Sequence, residues 1–218
     1  MYIICKKWNV MIYRPSLRKI FNTIKGSTDV FINNLMPNFY RSFSTLLLGF
    51  VGGNNAVGIL DGGNKFIQIG TQFLSTIERA FFPFLSRRID KHHIFRKINI
   101  GLSSLMSLFL FVFAPLLVKL FLTDEFVDSV YVLRIRSVSL VFFAITNTYG
   151  KNFLIIHHKE ALLRKITVYC SLTGFVIAWP LVYVYGYIGA SLTVTISLAL
   201  LAISYYLAAK KVKKSIEI

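Results

Sequence analysis

The chain has 218 residues, of which 55% are hydrophobic and only 16% are charged, and its mean hydropathy is +0.62. Soluble domains usually carry about 25% charged residues, so this composition excludes an ordinary soluble protein and favours a membrane protein. The net charge of +16 would suggest nucleic-acid binding if it covered a soluble surface. Most basic residues lie between apolar stretches instead, and nucleic acid is therefore not an expected partner.

Six apolar stretches are long enough to cross a membrane, which takes about 20 residues per span. Each is predicted to be a helix, because a helix satisfies all its backbone polar groups internally. The predicted spans are residues 27–50, 57–85, 98–122, 129–149, 166–185 and 188–209. The sequence therefore predicts an all-α integral membrane protein with a six-helix transmembrane bundle over 27–209. A basic segment, 1–26, precedes the bundle, and a basic tail, 210–218, follows it.

The distribution of basic residues predicts how the bundle is oriented. Nineteen of the 25 Lys and Arg lie in the N-terminal segment, in the connections after the second and fourth spans, and in the tail. The other three connections contain none. By the positive-inside rule, both termini and the basic connections lie in the cytoplasm, and the lipid bilayer is an expected partner.

The second span carries a row of polar side chains within an otherwise apolar helix. Each residue of an α-helix advances by about 100°. Asp61, Lys65, Gln68, Gln72 and Arg79 consequently fall on one narrow face that is ~27 Å long. Charged groups within a span are costly and usually face a bundle interior or an aqueous cavity. This face is therefore predicted to line a cavity.

Two other spans contribute to the same predicted lining. In the first span, Asn34, Asn38 and Arg41 fall on one side of the helix. In the fourth, Arg134 and Arg136 point to opposite faces, so at most one lines the cavity, and Arg134 is the candidate that we select. The ionic groups within the spans are mainly cationic. A cationic lining favours an anion, because guanidinium and ammonium groups replace the anion's hydration.

Metal binding, cofactor chemistry and catalysis are not expected. The two histidine pairs, His92-His93 and His157-His158, lie in cytoplasmic connections without a set of carboxylate partners. Adjacent residues on a helix do not face one another, so neither pair forms a ready metal site. The outer connections are too short for a catalytic domain, and no buried His/Asp/Glu constellation is evident. A membrane polymerase or acyltransferase is therefore disfavoured.

Part of the chain resembles a known family. The stretch "NFYRSFSTLLLGFVGGNNAVGILDGGNKFIQIGTQFLSTIERAFFPFLSRR" is similar to the seventh and eighth spans of bacterial polysaccharide-unit flippases. These belong to the multidrug/oligosaccharidyl-lipid/polysaccharide exporter superfamily. The matching features are Tyr40, Gly49, Val57-Gly58, Lys65 and the segment 83–87. The later "YGYIGASLTVTIS" looks like the opening of the family's last span.

The resemblance implies a fold and a function. Family members have about twelve spans in two six-span bundles, and this chain resembles the C-terminal bundle, as a half or truncated form. The implied activity is translocation of undecaprenyl-diphosphate-linked oligosaccharide repeat units across the bacterial inner membrane, for O-antigen or capsule synthesis. The lipid-linked oligosaccharide diphosphate is then a partner, with Arg41 and Lys65 as its counter-charges. A second six-span half is another implied partner.

Two other interpretations remain open. One is a cation-coupled exporter of the same superfamily, although such exporters favour acidic and aromatic cavities. The other is an inactive membrane remnant or a non-catalytic scaffold, which the short length suggests.

Overall fold

The computed structural model describes residues 16–87, 92–157 and 159–216, apart from some side chains within the helices. These residues are almost entirely helical, and no strand occurs among them. The helical segments are Leu17–Arg87, His92–Phe121, a short 3-10 helix at Asp124–Phe126, Ser129–Ile145, a π-helix at Thr146–Leu154, and Glu160–Ile216.

The first and the last helical segments each fold back on themselves at a glycine. Gly53 has a φ of 70° and Gly186 a φ of 54°, a left-handed conformation that glycine adopts without steric cost. Residues at nearly equal distances from Gly53 on its two sides, such as Thr45 and Leu60, line one small cavity. These segments therefore form two helical hairpins.

Six helical arms result among the described residues, and we number them in chain order. The first hairpin contains α1 (17–52) and α2 (54–87), and the last contains α5 (160–185) and α6 (187–216). Between them lie α3 (His92–Phe121) and α4 (Ser129–Ile145), and the π-helix Thr146–Leu154 continues α4. The hydroxyl groups of Thr167 on α5 and Tyr205 on α6 are 2.6 Å apart, as expected for antiparallel arms.

The predicted all-α membrane class is confirmed. Within the described parts of the chain, four helical stretches are long and apolar enough to cross a membrane: Leu35–Phe81, His93–Phe121, Ser129–Leu154 and Glu160–Lys213. The first and the last contain 47 and 54 residues, about twice the length of one span, and each includes one glycine turn. Large apolar side chains such as Leu105 and Trp179 are exposed on the outside of the bundle, where lipid would cover them.

Several helices extend beyond the predicted spans, among them the first and the last. The first begins at Leu17, within the segment expected to precede the bundle, and α6 continues to Ile216, through the expected tail. Lys and Arg, which are frequent in both regions, are good helix formers. A helix can therefore continue past the apolar segment that defines the span.

The helix α4 lies at the centre of the bundle. Its buried residues, which include Val132, Leu133, Ser137 and Ser139, are spread over roughly 160° around its axis. Glycines on α2 allow α4 to approach closely: a Cβ atom on Gly63 would lie only 2.6 Å from Cγ1 of Val132. Small residues commonly serve this purpose between helices in lipid. The rotation of α4 about its own axis therefore determines which of its side chains point into the interior of the bundle.

The π-helix after α4 is held by buried polar contacts to two neighbouring helices. Asn99 on α3 donates a hydrogen bond from Nδ2 to Oγ1 of Thr148, over 3.0 Å. Asn152 donates from Nδ2 to Oε1 of Glu78 on α2, over 3.3 Å. All four residues are buried, and hydrogen bonds between polar side chains of neighbouring helices stabilise bundles in lipid. These contacts fix the end of α4 against α2 and α3.

Replacement of Gly189 by valine is expected to destabilise the last hairpin. A Cβ atom at this position would overlap the carbonyl group of Leu181, and backbone cannot move aside as a flexible side chain can. We expect a loss of at least ~2 kcal/mol, measured as a lower thermal unfolding midpoint of the purified protein in detergent. The control is Gly101→Val, at an exposed position where no atom lies within 4 Å of the added Cβ. Equal midpoints for the two variants would contradict the close approach of α5 and α6.

Candidate functional site

A cavity of about 340 Å³, which we call the arginine cavity, lies between α1, α2, α4 and α6. Its charged residues are Arg41, Arg79 and Arg136, and no acidic side chain is among the described residues that line it. Its other polar lining residues are uncharged: Gln68, Thr71, Gln72, Ser75, Thr76 and Ser139. The cavity therefore offers cationic groups and neutral hydrogen-bonding groups at once.

Arg136 is the most deeply buried of these cations, with 6% of its surface exposed. Its Nε donates a hydrogen bond over 3.0 Å to Oδ1 of Asn64 on α2. Its Nη1 is buried and has no hydrogen-bond partner among the described residues. An unpaired buried donor on a charged group is costly, so a ligand that accepts a hydrogen bond there would be stabilised.

Arg41 on α1 connects this cavity to two neighbouring spaces. The first is a void of about 10 Å³ that Arg41 shares with Arg136, Asn64 and Ser191, and it has room for a single water molecule. The second is a space of about 520 Å³, which we call the apolar chamber. Arg41 is exposed, whereas Arg136 is buried.

The apolar chamber lies between α1, the π-helix, α5 and α6. Most of its surface is apolar, and Phe143 and Leu198 belong both to it and to the arginine cavity. Among its described lining residues, two carry ionic side chains, Arg41 and the half-buried Glu160. The two spaces are thus adjacent but differ in character.

The structure brings several of the predicted site residues together. Arg41, Gln68, Gln72 and Arg79 line the arginine cavity, and Asn38 lines the apolar chamber.

The other predicted positions are placed differently. Asp61 and Lys65 are exposed on α2 nearer to the turn at Gly53, and neither is among the residues that line these two spaces. The side chain of Asn34 lies outside the described residues.

The two arginines of α4 point to opposite sides, and the one at the arginine cavity is Arg136, whereas the sequence led us to select Arg134. The guanidinium carbon of Arg134 lies 5.7 Å from the ring centroid of Phe111 on α3, in a cation–π contact. Residues two apart on a helix differ by ~200° in direction, so only one of the two can face the cavity.

Sequence reasoning also missed Asn64, the hydrogen-bond partner of Arg136. It lies ~60° to one side of the polar face of α2, toward α4. An amide three residues after Asp61 was the available signal. As for metals, no group of three or more His, Cys, Asp or Glu side chains that could hold an ion occurs in the described parts of the chain.

Comparison with known proteins identifies relatives. Residues 1–89 match the family model described as "Polysaccharide biosynthesis protein". The chain is 26% identical to a putative O-antigen transporter of Escherichia coli (strain K12) over 186 residues, which are 82% of this chain and 45% of that protein. It is 24% identical to a putative O-antigen transporter of Shigella dysenteriae, over 85% of this chain and 48% of that protein. The predicted resemblance to polysaccharide transporters is confirmed.

A solved structure shares the fold. The chain superposes with a TM-score of 0.73 on an outward-facing multidrug resistance MATE family transporter of the MOP superfamily. The match covers 95% of this chain and 49% of that chain, at 17% identity. The chain also spans about half the length of the curated relatives it matches.

Water access to the polar face of α2 can be measured by cysteine labelling. In a chain whose Cys5 and Cys170 are replaced by alanine, we expect Gln72→Cys to react at least ~tenfold faster with a charged thiol reagent than Phe73→Cys. Gln72 lines the arginine cavity, whereas Phe73 is 50% exposed beside it and would face hydrocarbon. Faster labelling of Phe73→Cys would contradict a wet cavity on this face.

Proposed function

We propose that this chain takes part in moving undecaprenyl-diphosphate-linked oligosaccharide repeat units across the bacterial inner membrane, for O-antigen or capsule synthesis. The observation that supports this most directly is the arginine cavity, where Arg41, Arg79 and Arg136 converge without an acidic side chain among its described lining residues. The similarity to O-antigen transporters supports the same cargo class.

The chemistry of the cavity suits a diphosphate with attached sugars. Guanidinium groups bind phosphate oxygens through paired hydrogen bonds, and they are less strongly hydrated than ammonium groups. The attraction is strengthened where the surroundings have a low dielectric constant, as they do around the buried Arg136. The amides of Gln68 and Gln72 can donate to and accept from sugar hydroxyl groups.

A cation-coupled exporter of cationic compounds is less well supported. The buried Glu78 interacts with Asn152 of the π-helix, and Glu160 lines the apolar chamber, so neither carboxylate lines the arginine cavity. A cationic cargo in that cavity would meet three like charges. We therefore favour an anionic cargo.

A second six-span bundle is the proposed partner. Transporters of this kind work by rocking one bundle against another around a central site. This chain would supply one wall of such a site, because exposed residues on the polar face of α2 line its arginine cavity.

Reporter fusions test the proposed orientation, in which both termini lie in the cytoplasm. Fusions after Asn54, Glu125 and Gly186 are expected to report the periplasm, and fusions after His92 and His157 the cytoplasm. Alkaline phosphatase is active only in the periplasm and green fluorescent protein fluoresces in the cytoplasm, so the two reporters give opposite signals at each site. Any other alternation would contradict the orientation.

Genetic complementation tests the cargo. In a strain without its own O-antigen transporter, the chain is expressed alone and together with the N-terminal half of that transporter. Arg41→Gln and Arg136→Gln are each expected to lower surface-polysaccharide display at least ~tenfold, because each removes a charge-assisted contact. Arg134→Gln is the matched control, since this arginine contacts Phe111 rather than the cavity. Native display in both cavity variants, at equal protein levels, would contradict the proposed role of these arginines.

A further inference from the structure

The apolar chamber has the size and the lining of a ligand site. Its volume of about 520 Å³ lies within the range of ~300–1,000 Å³ that is usual for small-molecule sites. Its apolar surface comes from side chains such as Pro37, Ile155, Leu163, Leu201 and Tyr205. Sites of this kind usually combine such a lining with a few polar groups that fix orientation.

The polar hydroxyl groups in the chamber are satisfied within the protein. Thr146 donates from Oγ1 to the carbonyl oxygen of Phe142 over 2.8 Å. The Thr167 hydroxyl is hydrogen-bonded both to the carbonyl oxygen of Leu163 and to the hydroxyl of Tyr205. Because these groups already have partners, hydrocarbon can lie against them without the cost of an unpaired buried donor.

The chamber joins the arginine cavity at a charged corner. Arg41, Phe143 and Leu198 line both spaces, so one molecule can occupy both if its polar part meets its apolar part at Arg41. Glu160, the first residue of α5, is the other ionic group among the described residues that line the chamber. It repels a phosphate while Arg41 attracts one, which orients an anionic amphiphile with its headgroup toward the arginine cavity.

We propose that the apolar chamber binds the hydrocarbon segment next to the diphosphate of the lipid carrier, while the diphosphate itself lies at Arg41 and Arg136. This inference rests on the proposed function, because it takes the cargo to be an isoprenoid diphosphate. It adds that the bundle recognises part of the lipid as well as the headgroup. The carrier is then recognised at its polar–apolar junction, whatever sugar it bears.

Direct binding tests the inference. The full chain is purified into lipid nanodiscs and titrated by calorimetry with farnesyl diphosphate and with inorganic diphosphate, and empty nanodiscs correct for partitioning into lipid. Farnesyl diphosphate is expected to bind at least ~tenfold more tightly, because it buries hydrocarbon in addition to the shared headgroup. Arg41→Gln is expected to weaken the binding of both compounds.

Two neighbouring leucines on α6 provide a matched pair of variants. Leu201 is 5% exposed and lines the chamber, whereas Leu200 is 37% exposed and does not line it. Leu201→Trp fills the chamber, so this variant is expected to bind farnesyl diphosphate no more tightly than inorganic diphosphate. Its affinity for inorganic diphosphate is expected to equal that of the native chain. Leu200→Trp is expected to keep the difference. If Leu201→Trp does not fold, Leu163→Phe replaces it, since Leu163 also lines the chamber.

The outcomes separate this inference from the proposed function. Equal affinities for the two compounds in the native chain, or equal effects of the two tryptophan variants, would overturn the chamber's role while leaving headgroup binding intact. Farnesyl diphosphate could also bind more tightly than inorganic diphosphate in phosphatidylcholine nanodiscs but not in phosphatidylglycerol nanodiscs. Bulk anionic lipid would then occupy the chamber, and this result also overturns the chamber's proposed role. If the native chain binds neither diphosphate, the proposed function fails and the inference fails with it.

Discussion

The reversal of the chain at Gly53 is the constraint on which the site depends. In one uninterrupted helix, Arg41 and Gln72 would lie ~46 Å apart, at a rise of ~1.5 Å per residue. Because the chain folds back at Gly53, both residues line the same cavity. Space is not the reason for a glycine here, since a Cβ atom would meet nothing within 4 Å. The reason is the combination of a φ of 70° with a ψ of −174°, which costs other residues ~1–3 kcal/mol.

The first hairpin packs against α4 through the glycines of α2, and α4 places the charged Arg136 in the interior of the bundle. A guanidinium group in the middle of a membrane costs at least ~2.5–3.5 kcal/mol. The hydrogen bond from Arg136 to Asn64 offsets part of that cost, but Arg41 at the same small void adds a like charge. The unliganded site is therefore held at a cost that the rest of the bundle offsets. An anion that enters would lower this cost, and by linkage its binding would stabilise the folded bundle.

The sequence was sufficient for the membrane class and for the existence of a polar face on α2. Both follow from composition and helical periodicity, which are local properties of the chain. The choice between Arg134 and Arg136 was not accessible in the same way, because it depends on how α4 is rotated. That rotation is fixed by long-range contacts, such as Gly63 against Val132 and the hydrogen bond from the Ser129 hydroxyl to the carbonyl oxygen of Ile59.

The sequence pattern also did not predict the lengths of the helices or which residues line the cavity. Helical periodicity placed Asp61 and Lys65 on the same face as Gln68, Gln72 and Arg79, and all five are exposed. Periodicity gives a direction around the helix axis, however, and contains no information about which part of the face other helices enclose. Only the part of the face that lies beside Arg136 and Ser139 of α4 becomes cavity wall.

The exposed remainder of this face limits what can surround the bundle. Asp61 and Lys65 are exposed on the same helix side as Gln68, Gln72 and Arg79. Two ionic groups against hydrocarbon would each cost several kcal/mol, more than a marginally stable domain tolerates without compensation. Lipid can therefore cover the apolar sides of the bundle, where Leu105 and Trp179 are exposed, but not this one. The polar face of α2 must therefore meet water or another polar surface, as it would beside the proposed second bundle.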